Sequence, residues 1–242
     1  MKIMIKICSL ILMCNLLSSQ TLHADNKALE QNFKKNYPSI SLKSVQRSPF
    51  KGIYEVYAAG KIIYTDEKAE YLLFGNLVDI NNQKNLTAER LTELNKIDIT
   101  KLPIEQAIKY IKGTGKRTLY VFTDPDCPYC QKLEQYMTSI DNVTVYLFLY
   151  PLKQLHPRAE IISEEIWCSK NQYEAWEDYM LHRKSPQNLT RCKTPIQKNL
   201  DLGQHLQIEG TPTIFLENGI RIAGIPLDSQ QIEQLLQKAE LE

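Results

Sequence analysis

Two cysteines separated by two residues, Cys127 and Cys130, are the side chains of this sequence best suited to chemistry. They follow residues 118–123, a β-branched and aromatic run that predicts a strand, and precede a helical pattern over residues 131–140. A cysteine at the start of a helix lies beside unpaired backbone N–H groups at the positive end of the helix dipole, and both stabilise a thiolate. Because a thiolate is the species that attacks a disulfide, the sequence predicts redox chemistry at Cys127.

The neighbours of the nucleophile fit this interpretation only in part. Cys130 lies one turn inside the predicted helix, shielded from external reagents and placed to resolve a mixed disulfide. Pro128 suits the first turn, because its missing N–H would have no helical partner. Asp124 and Asp126 act in the opposite direction, since negative charges disfavour a nearby thiolate. We therefore expect the pKa of Cys127 to be lowered, and predict only the direction.

A Cys-x-x-Cys pair has two other uses, as zinc ligands or as a structural disulfide. Zinc needs two further ligands, but the other cysteines lie far along the chain and His156, His182 and His205 are isolated. A ring closed over two residues is strained and reducible compared with a long-loop bridge. Both alternatives remain open, and neither a metal nor another cofactor is implied by the sequence.

A second motif reads Gly-Thr-Pro-Thr at residues 210–213 and stands before an apolar segment. Pro212 is a candidate for a cis peptide bond, which is rarely accidental before a strand. Alone, Thr-Pro more often marks an ordinary turn. Combined with the upstream strand, Cys-x-x-Cys and helix, the motif supports the redox interpretation.

The elements before the cysteines predict a small α+β domain over residues 25–84. Leu29 and Phe33 lie one turn apart on a helix that ends before Pro38. Short β-rich runs follow at 41–45, 53–58, 62–65, 71–74 and 77–80. A domain this small has a marginal core, for which oligomerisation is a common remedy.

Residues 85–112 predict a stiff helical linker. Thr87 is suited to cap a first helix, and Pro103 to open a second that ends before Gly113. One face of the second helix carries Ile104, Ala107, Ile108 and Ile111. The absence of glycine and serine from residues 85–112 argues against a flexible tether.

Residues 113–242 alternate between predicted strands and helices. The run 143–150 is apolar on both faces, which predicts a strand covered by helices on both sides of a mixed sheet. A helical insertion is expected over about 154–206, followed by a hairpin and a closing helix. We expect Trp167, Tyr173, Trp176 and Tyr179 to form its core. His156 is expected to be a capping or surface residue.

The first 24 residues have the order of an export signal, with Lys2 and Lys6 before the apolar run 7–17 and Ala24 at a cleavage point. A buried N-terminal helix is the alternative. Removal of this segment takes away Cys8 and Cys14 and leaves four cysteines in an oxidising compartment. Four cysteines allow three pairings, and the spacing favours Cys127 with Cys130 and Cys168 with Cys192.

The composition excludes several classes of protein. The 242 residues are 43% apolar, which is too apolar for a disordered chain and too polar for a many-pass membrane protein. The 29 basic and 28 acidic side chains leave a formal net charge of +1. Such a balance lacks the excess of Lys and Arg that is typical of nucleic-acid-binding proteins.

Three segments together resemble the bacterial periplasmic disulfide isomerases of the DsbC/DsbG type. They are Phe-Thr-Asp-Pro-Asp-Cys-Pro-Tyr-Cys at 122–130, Ile-Trp-Cys at 166–168 and Gly-Thr-Pro at 210–212. The order of signal, strand-rich domain, helical linker and catalytic domain matches over essentially the whole chain. The resemblance implies an α+β fold, in which a thioredoxin-like domain with a helical insertion follows an N-terminal domain that forms a V-shaped homodimer.

The same resemblance implies roles for individual residues. Cys127 would be the nucleophile and Cys130 the resolving thiol, while Cys168 and Cys192 would form a structural disulfide. Substrate would contact Pro128, Tyr129, Thr211 and Pro212, the last two in a cis-proline loop that faces the sulfurs. The pair Pro128-Tyr129 resembles the DsbG branch, whereas the additional cysteines resemble the DsbC branch.

The implied function is rearrangement of wrong disulfides in misfolded exported proteins in the periplasm. The implied partners are a second copy of the chain and an inner-membrane thiol reductant resembling DsbD. Two alternatives remain: a reductase of sulfenylated cysteines, which needs only the same reactive thiol, and a chaperone-like binding module in which the thiols are incidental.

Overall fold

The computed structural model describes residues 26–186 and 192–241 and divides the chain into two compact units between Leu94 and Asn95. The predicted export signal, residues 1–24, lies outside the described residues. Within the described ranges, every helix is too short or too polar to cross a membrane.

The first unit packs a helix on a four-stranded antiparallel sheet. Helical residues 26–36 (α1) bury Leu29 and Phe33 against Val56 of the sheet. The strands, in spatial order, are β1 (Leu42–Arg47), β2 (Tyr54–Ala58), β3 (Lys61–Thr65) and β4 (Leu72–Leu73). A two-stranded ribbon of β5 (Val78–Asp79) and β6 (Lys84–Asn85) follows, and then helix α2 (Leu86–Leu94). The predicted helix and strand meander are confirmed.

The second unit is a five-stranded mixed sheet covered by helices. Its strands are β7 (Ile108–Lys112), β8 (Arg117–Thr123), β9 (Val143–Leu149), β10 (Thr213–Leu216) and β11 (Arg221–Ala223), in the spatial order β11-β10-β8-β9-β7. Its helices are α3 (Pro128–Met137), α4 (Ala159–Trp167), α5 (Gln172–His182), α6 (Ile196–His205) and α7 (Ser229–Ala239). Only β8 and β9 pair in parallel. This arrangement confirms the predicted α+β class.

The two central strands are buried on both faces, as the apolar run 143–150 predicts. Leu119 and Val121 of β8 lie in one core with side chains of α3 and α7, and Tyr120 and Phe122 lie in the other. Phe122 stacks on Phe148 of β9 with ring centroids 4.8 Å apart. Helices on both sides therefore fix the position of the strand that leads into the cysteines.

The predicted second linker helix is wrong. Residues 108–112 form β7, which pairs antiparallel with β9 at the edge of the sheet, and short 3₁₀ turns at Ile99–Lys101 and Ile104–Gln106 precede it. Ile108 and Tyr110 are buried while Lys109 and Ile111 are exposed, so the segment follows a strand period. The boundary expected at residue 113 therefore falls inside the second unit.

The helical insertion between β9 and β10 is closed by a disulfide. Cys168, at the end of α4, is bonded to Cys192, which precedes α6. Trp176 and Tyr179 of α5 are buried in the core, and Trp167 and Tyr173 pack against it. These aromatic residues occupy the core positions that the sequence predicts.

Candidate active site

The Cys-x-x-Cys pair lies where β8 ends and α3 begins. Cys127 is the N-cap residue of α3 with φ −77° and ψ 122°, and Pro128 occupies the first turn. Both cysteines are unbridged and buried, with Cys127 4% and Cys130 0% exposed. The first sulfur therefore lies among the free N–H groups of a helix N-terminus.

The loop that contains Pro212 meets the cysteines because of strand pairing. Strand β10 pairs antiparallel with β8, with Thr213 opposite Phe122, so the chain enters β10 at the end of the sheet where β8 leaves it. The peptide bond between Thr211 and Pro212 is cis. The Sγ of Cys127 lies 3.4 Å from the carbonyl oxygen of Thr211. The structure thus brings the two sequence motifs together.

The two thiols have opposite electrostatic environments. The Cys130 thiol, which donates to the Cys127 sulfur, is the largest cause that lowers the pKa of Cys127 to about 6, and the backbone N–H groups of Cys130 and Tyr129 add to it against burial. Burial is the main cause that raises the pKa of Cys130 well above its ordinary value. One sulfur is therefore a thiolate near neutral pH, and the other is a protonated donor.

The rim of the site is apolar and exposed. Tyr129, between the cysteines, is 61% exposed, and Pro128 is also exposed. Pro212 is buried and Thr211 is half-buried. Pro128 and Tyr129 are therefore accessible from solvent next to the buried Cys127.

His156 lies partly exposed at the surface, as expected, but its ring also contacts a buried carboxylate that the sequence does not indicate. Its Nδ1 lies 2.9 Å from an Oδ atom of Asp124, whose side chain is fully buried. The hydrogen bond to Asp124 is the largest cause that raises the pKa of His156. The contact joins residues 32 positions apart, and no sequence motif signals it.

Comparisons with known proteins match both units. A family model described as a thioredoxin-like domain matches residues 104–240, and one described as the disulfide bond isomerase protein N-terminal domain matches residues 20–88. The probable thiol:disulfide interchange protein DsbC of Bordetella parapertussis is 34% identical over 212 residues, which cover 87% of this chain and 75% of that protein. The chain belongs to the DsbC family.

Two further relatives agree with this assignment. The thiol:disulfide interchange protein DsbC of Escherichia coli K12 is 28% identical over 207 residues, which cover 83% of each chain. The crystal structure of a disulfide interchange protein from Neisseria gonorrhoeae covers 58% of this chain and all of its own, at 35% identity and a TM-score of 0.56. This chain is accordingly a thiol:disulfide oxidoreductase and disulfide isomerase with a thioredoxin-like catalytic domain.

Within this DsbC family member, the structure groups the site residues expected from the sequence in two places. Cys127, Cys130, Pro128, Tyr129, Thr211 and Pro212 lie together at one end of the sheet. Cys168 and Cys192 lie apart from them in the helical insertion. The site also contains Asp124, His156 and Tyr179, whose hydrogen bonds sequence reasoning missed.

Proposed function

We propose that this chain rearranges disulfides in exported proteins by nucleophilic attack of Cys127. The observation that carries the proposal is the contrast between the two sulfurs, since only Cys127 has a lowered pKa and a place at the helix N-terminus. The thiolate attacks one sulfur of a client disulfide, a new S–S bond forms to Cys127, and the other client sulfur leaves as a thiolate that is protonated by solvent.

The mixed disulfide has two exits. In the first, another thiolate of the client attacks the bond, which returns the electron pair to Cys127 and leaves a rearranged client with no net oxidation. In the second, Cys130 attacks Cys127, so that the client leaves reduced by two electrons and the two cysteines are left bridged. The raised pKa of Cys130 delays this second exit, which supports isomerisation before release.

The second exit requires reduction of the bridged pair before another round of catalysis. We infer that an inner-membrane thiol reductant resembling DsbD supplies the two electrons. The exposed Pro128 and Tyr129, with Thr211 and Pro212, are the residues that we expect both the client and this reductant to contact.

We infer that two copies associate through the N-terminal unit in the periplasm. Exposed apolar side chains in that unit support the inference: Tyr71, Leu73, Phe74, Val78 and Ile80 are each more than half exposed. Two linked copies hold two nucleophiles near one client and raise their effective concentration. The names of the relatives do not favour a sulfenic acid reductase or a chaperone without redox activity.

Replacement of single cysteines tests this mechanism. Cys130→Ser keeps the first attack but removes the internal exit, so mixed disulfides with clients should accumulate on non-reducing gels of exported protein. Cys127→Ser should trap nothing and should lose the ability to refold a protein with scrambled disulfides. Capture by Cys127→Ser, with none by Cys130→Ser, would reverse the assignment of the two sulfurs.

A further inference from the structure

The segment before the nucleophile carries two carboxyl groups that act against a thiolate. Asp124 and Asp126 flank Pro125 and lie three and one residues before Cys127, respectively. Each of the two carboxyl groups receives a hydrogen bond from the chain that follows β9. The His156 Nδ1 lies 2.9 Å from Asp124, and the Tyr179 hydroxyl donates to Asp126 at 2.5 Å.

Asp124, which contacts His156 through its side chain, contacts both cysteines through its backbone. Its buried carboxylate accepts the backbone N–H groups of Asp126 and Leu152, at 2.8 and 2.7 Å, in addition to the His156 ring. Its backbone N–H lies 3.5 Å from the Cys130 Sγ, and its carbonyl accepts the N–H of Cys127 at 3.2 Å. The hydrogen bonds to the Asp124 side chain therefore also hold its backbone N–H near the Cys130 sulfur and its carbonyl oxygen on the N–H of Cys127.

The contact at Asp126 places a neutral donor on the carboxylate adjacent to Cys127. Tyr179 belongs to α5 and is 6% exposed. Burial, followed by the hydrogen bond to Asp126, raises the pKa of Tyr179 to about 12, against the positive charges of Arg158 and Arg183. The phenol therefore remains protonated, and remains a donor, at every pH at which thiol exchange is fast.

We propose that His156 and Tyr179 are positioning residues for the dithiol, which hold the carboxylates of Asp124 and Asp126 so that the Cys127 thiolate is favoured and the Asp124 N–H stays on Cys130. The inference rests on the proposed function and deepens it. The helical insertion between β9 and β10 then acts on the chemistry, since it contains both His156 and Tyr179. Neither residue is required to touch the substrate.

Charged and titratable groups reach Cys127 from several elements. Cys130 lies on α3, Asp124 and Asp126 on the preceding loop, and His156 on the segment after β9, where the Cys127 charge raises the pKa of the ring. Loss of a donor to either carboxylate leaves its negative charge less compensated. The pKa of Cys127 should therefore rise in such a variant.

The pH profile of Cys127 alkylation in the reduced full-length protein tests the proposed role of Tyr179. Tyr179→Phe should move the midpoint upward by about 0.5 pH unit or more. Tyr173→Phe is the matched control, because that hydroxyl also lies against a carboxylate, Glu177 at 3.1 Å, on the same helix. In an Asp126→Asn background, Tyr179→Phe should produce no further shift, since the charge that it compensates is gone.

Stopped-flow reaction of the reduced protein with oxidised glutathione tests the proposed role of His156. It measures separately the attack of Cys127 on glutathione disulfide and the resolution of the mixed disulfide by Cys130. His156→Ala should slow resolution by about fivefold, the worth of one hydrogen bond. His156→Asn retains an N–H donor near the Nδ1 position and should restore most of the rate. His205→Ala, in an exposed histidine, is the control and should match the wild type.

The outcomes distinguish this proposal from the function on which it rests. A wild-type protein without a thiol that reacts at about pH 6 would overturn the proposed function itself. A reactive wild type whose Tyr179→Phe midpoint lies within about 0.2 pH unit of the control, in a variant with native circular dichroism, overturns only the Tyr179 role. Equal resolution rates in His156→Ala, His156→Asn and wild type overturn the His156 role. If His156→Ala does not fold, His156→Leu, which has no N–H donor, takes its place: resolution about fivefold slower than in His156→Asn supports the role, and equal rates in the two variants contradict it.

Discussion

Cys127 and Cys130 are chemically identical side chains that their surroundings make different. Cys127 receives hydrogen bonds at the N-terminus of α3, whereas Cys130 is enclosed by the core one turn later. We therefore expect the first sulfur to attack the client and the second to react only after the first has formed a mixed disulfide. This order of reaction follows from position on the helix rather than from residue type.

The lowered pKa of Cys127 predicts the pH dependence of its reactivity. A thiol with a pKa of about 6 is about nine-tenths thiolate at pH 7, whereas an ordinary cysteine is a few per cent thiolate. The rate of iodoacetamide alkylation of the reduced protein should therefore rise through about pH 6 and level off above about pH 7. Mass spectrometry of the labelled peptides measures this rate for each cysteine. A midpoint above about pH 8 at Cys127 would contradict the prediction.

Residue types and spacing predict the dithiol and the loop at Pro212, because each rests on a local backbone requirement: a helix N-terminus and a cis peptide bond. They do not predict the pairing of Asp124 with His156. A carboxylate and a histidine 32 residues apart meet only because the chain after β9 returns to the end of β8. Such contacts depend on the tertiary fold.

At the scale of elements, α3 packs against α5, and the Lys112 ammonium of β7 donates to the carbonyl of Met137 at the end of α3. Glu134 of α3 is 6% exposed, and burial is the largest cause that raises its pKa to about 7, with the charge of Glu177 adding to it. An acid whose pKa is higher in the folded state binds more protons when folded. The contribution of Glu134 to the free energy of unfolding therefore falls as pH rises from about 4.5 through 7.

Replacement of Glu134 by glutamine removes this penalty. Glu134→Gln should raise the free energy of unfolding at pH 8 by about 2 to 3 kcal/mol and change it little at about pH 4. Urea denaturation at the two pH values measures the difference. Glu164→Gln, in an exposed acid of α4, is the control and should change stability little at either pH. An equal gain at both pH values would contradict the titration argument.

We expect the disulfide between Cys168 and Cys192 to stabilise the helical insertion. Cys168 and Cys192 are 24 positions apart. A crosslink that closes a loop of this length lowers the entropy of the unfolded chain, which stabilises the folded state by about 3.5 kcal/mol. The double variant Cys168→Ser, Cys192→Ser should lose stability of that order in urea denaturation. Because the bridge joins α4 to the segment before α6, the loss should be largest in the insertion.

Differential alkylation separates the two cysteine pairs. Mild reduction should expose Cys127 and Cys130 to labelling and leave Cys168 and Cys192 bridged, since long-loop structural disulfides resist reduction. Labelling of all four cysteines at equal rates would contradict this division.

The error over residues 103–112 has a physical cause. Ile104, Ala107, Ile108 and Ile111 fit a helical face, but Ile108 and Tyr110 also fit the alternation of a strand. The pattern is ambiguous over so short a segment. The free edge of β9 decides the outcome, because pairing there satisfies the backbone of β7 and buries Tyr110 against Tyr173, with ring centroids 4.1 Å apart. No local signal reports the presence of that edge.

At the scale of the molecule, catalysis and client holding are expected to reside in different units. The catalytic unit begins at Asn95, and the backbone N–H of Ile97 donates to the carbonyl of Gly219 at 3.1 Å. A truncated protein should therefore keep Ile97. A later start, near Thr100, removes this contact.

A protein that starts at Asn95 should be monomeric and should still reduce a small disulfide. It should lose most of its ability to refold a protein with scrambled disulfides, because a single nucleophile without a partner lacks a high effective concentration at the client. Sedimentation and refolding in glutathione buffer measure the two properties, with circular dichroism as the control for folding. A truncated monomer that isomerises as well as the full chain would contradict the role of the N-terminal unit.

The two outer strands of the catalytic sheet, β7 and β11, affect how unfolded clients can bind to this enzyme. An outer strand presents unpaired N–H and C=O groups, on which an extended polypeptide adds as a further strand and from which aggregates grow. Here β7 carries Lys109 and Lys112, and β11 is only three residues long. Charge on one edge and shortness of the other disfavour strand addition. We therefore expect a client to be held through its sulfur and not by pairing along these edges, so that exchange of the covalent bond is enough to release it from the catalytic sheet.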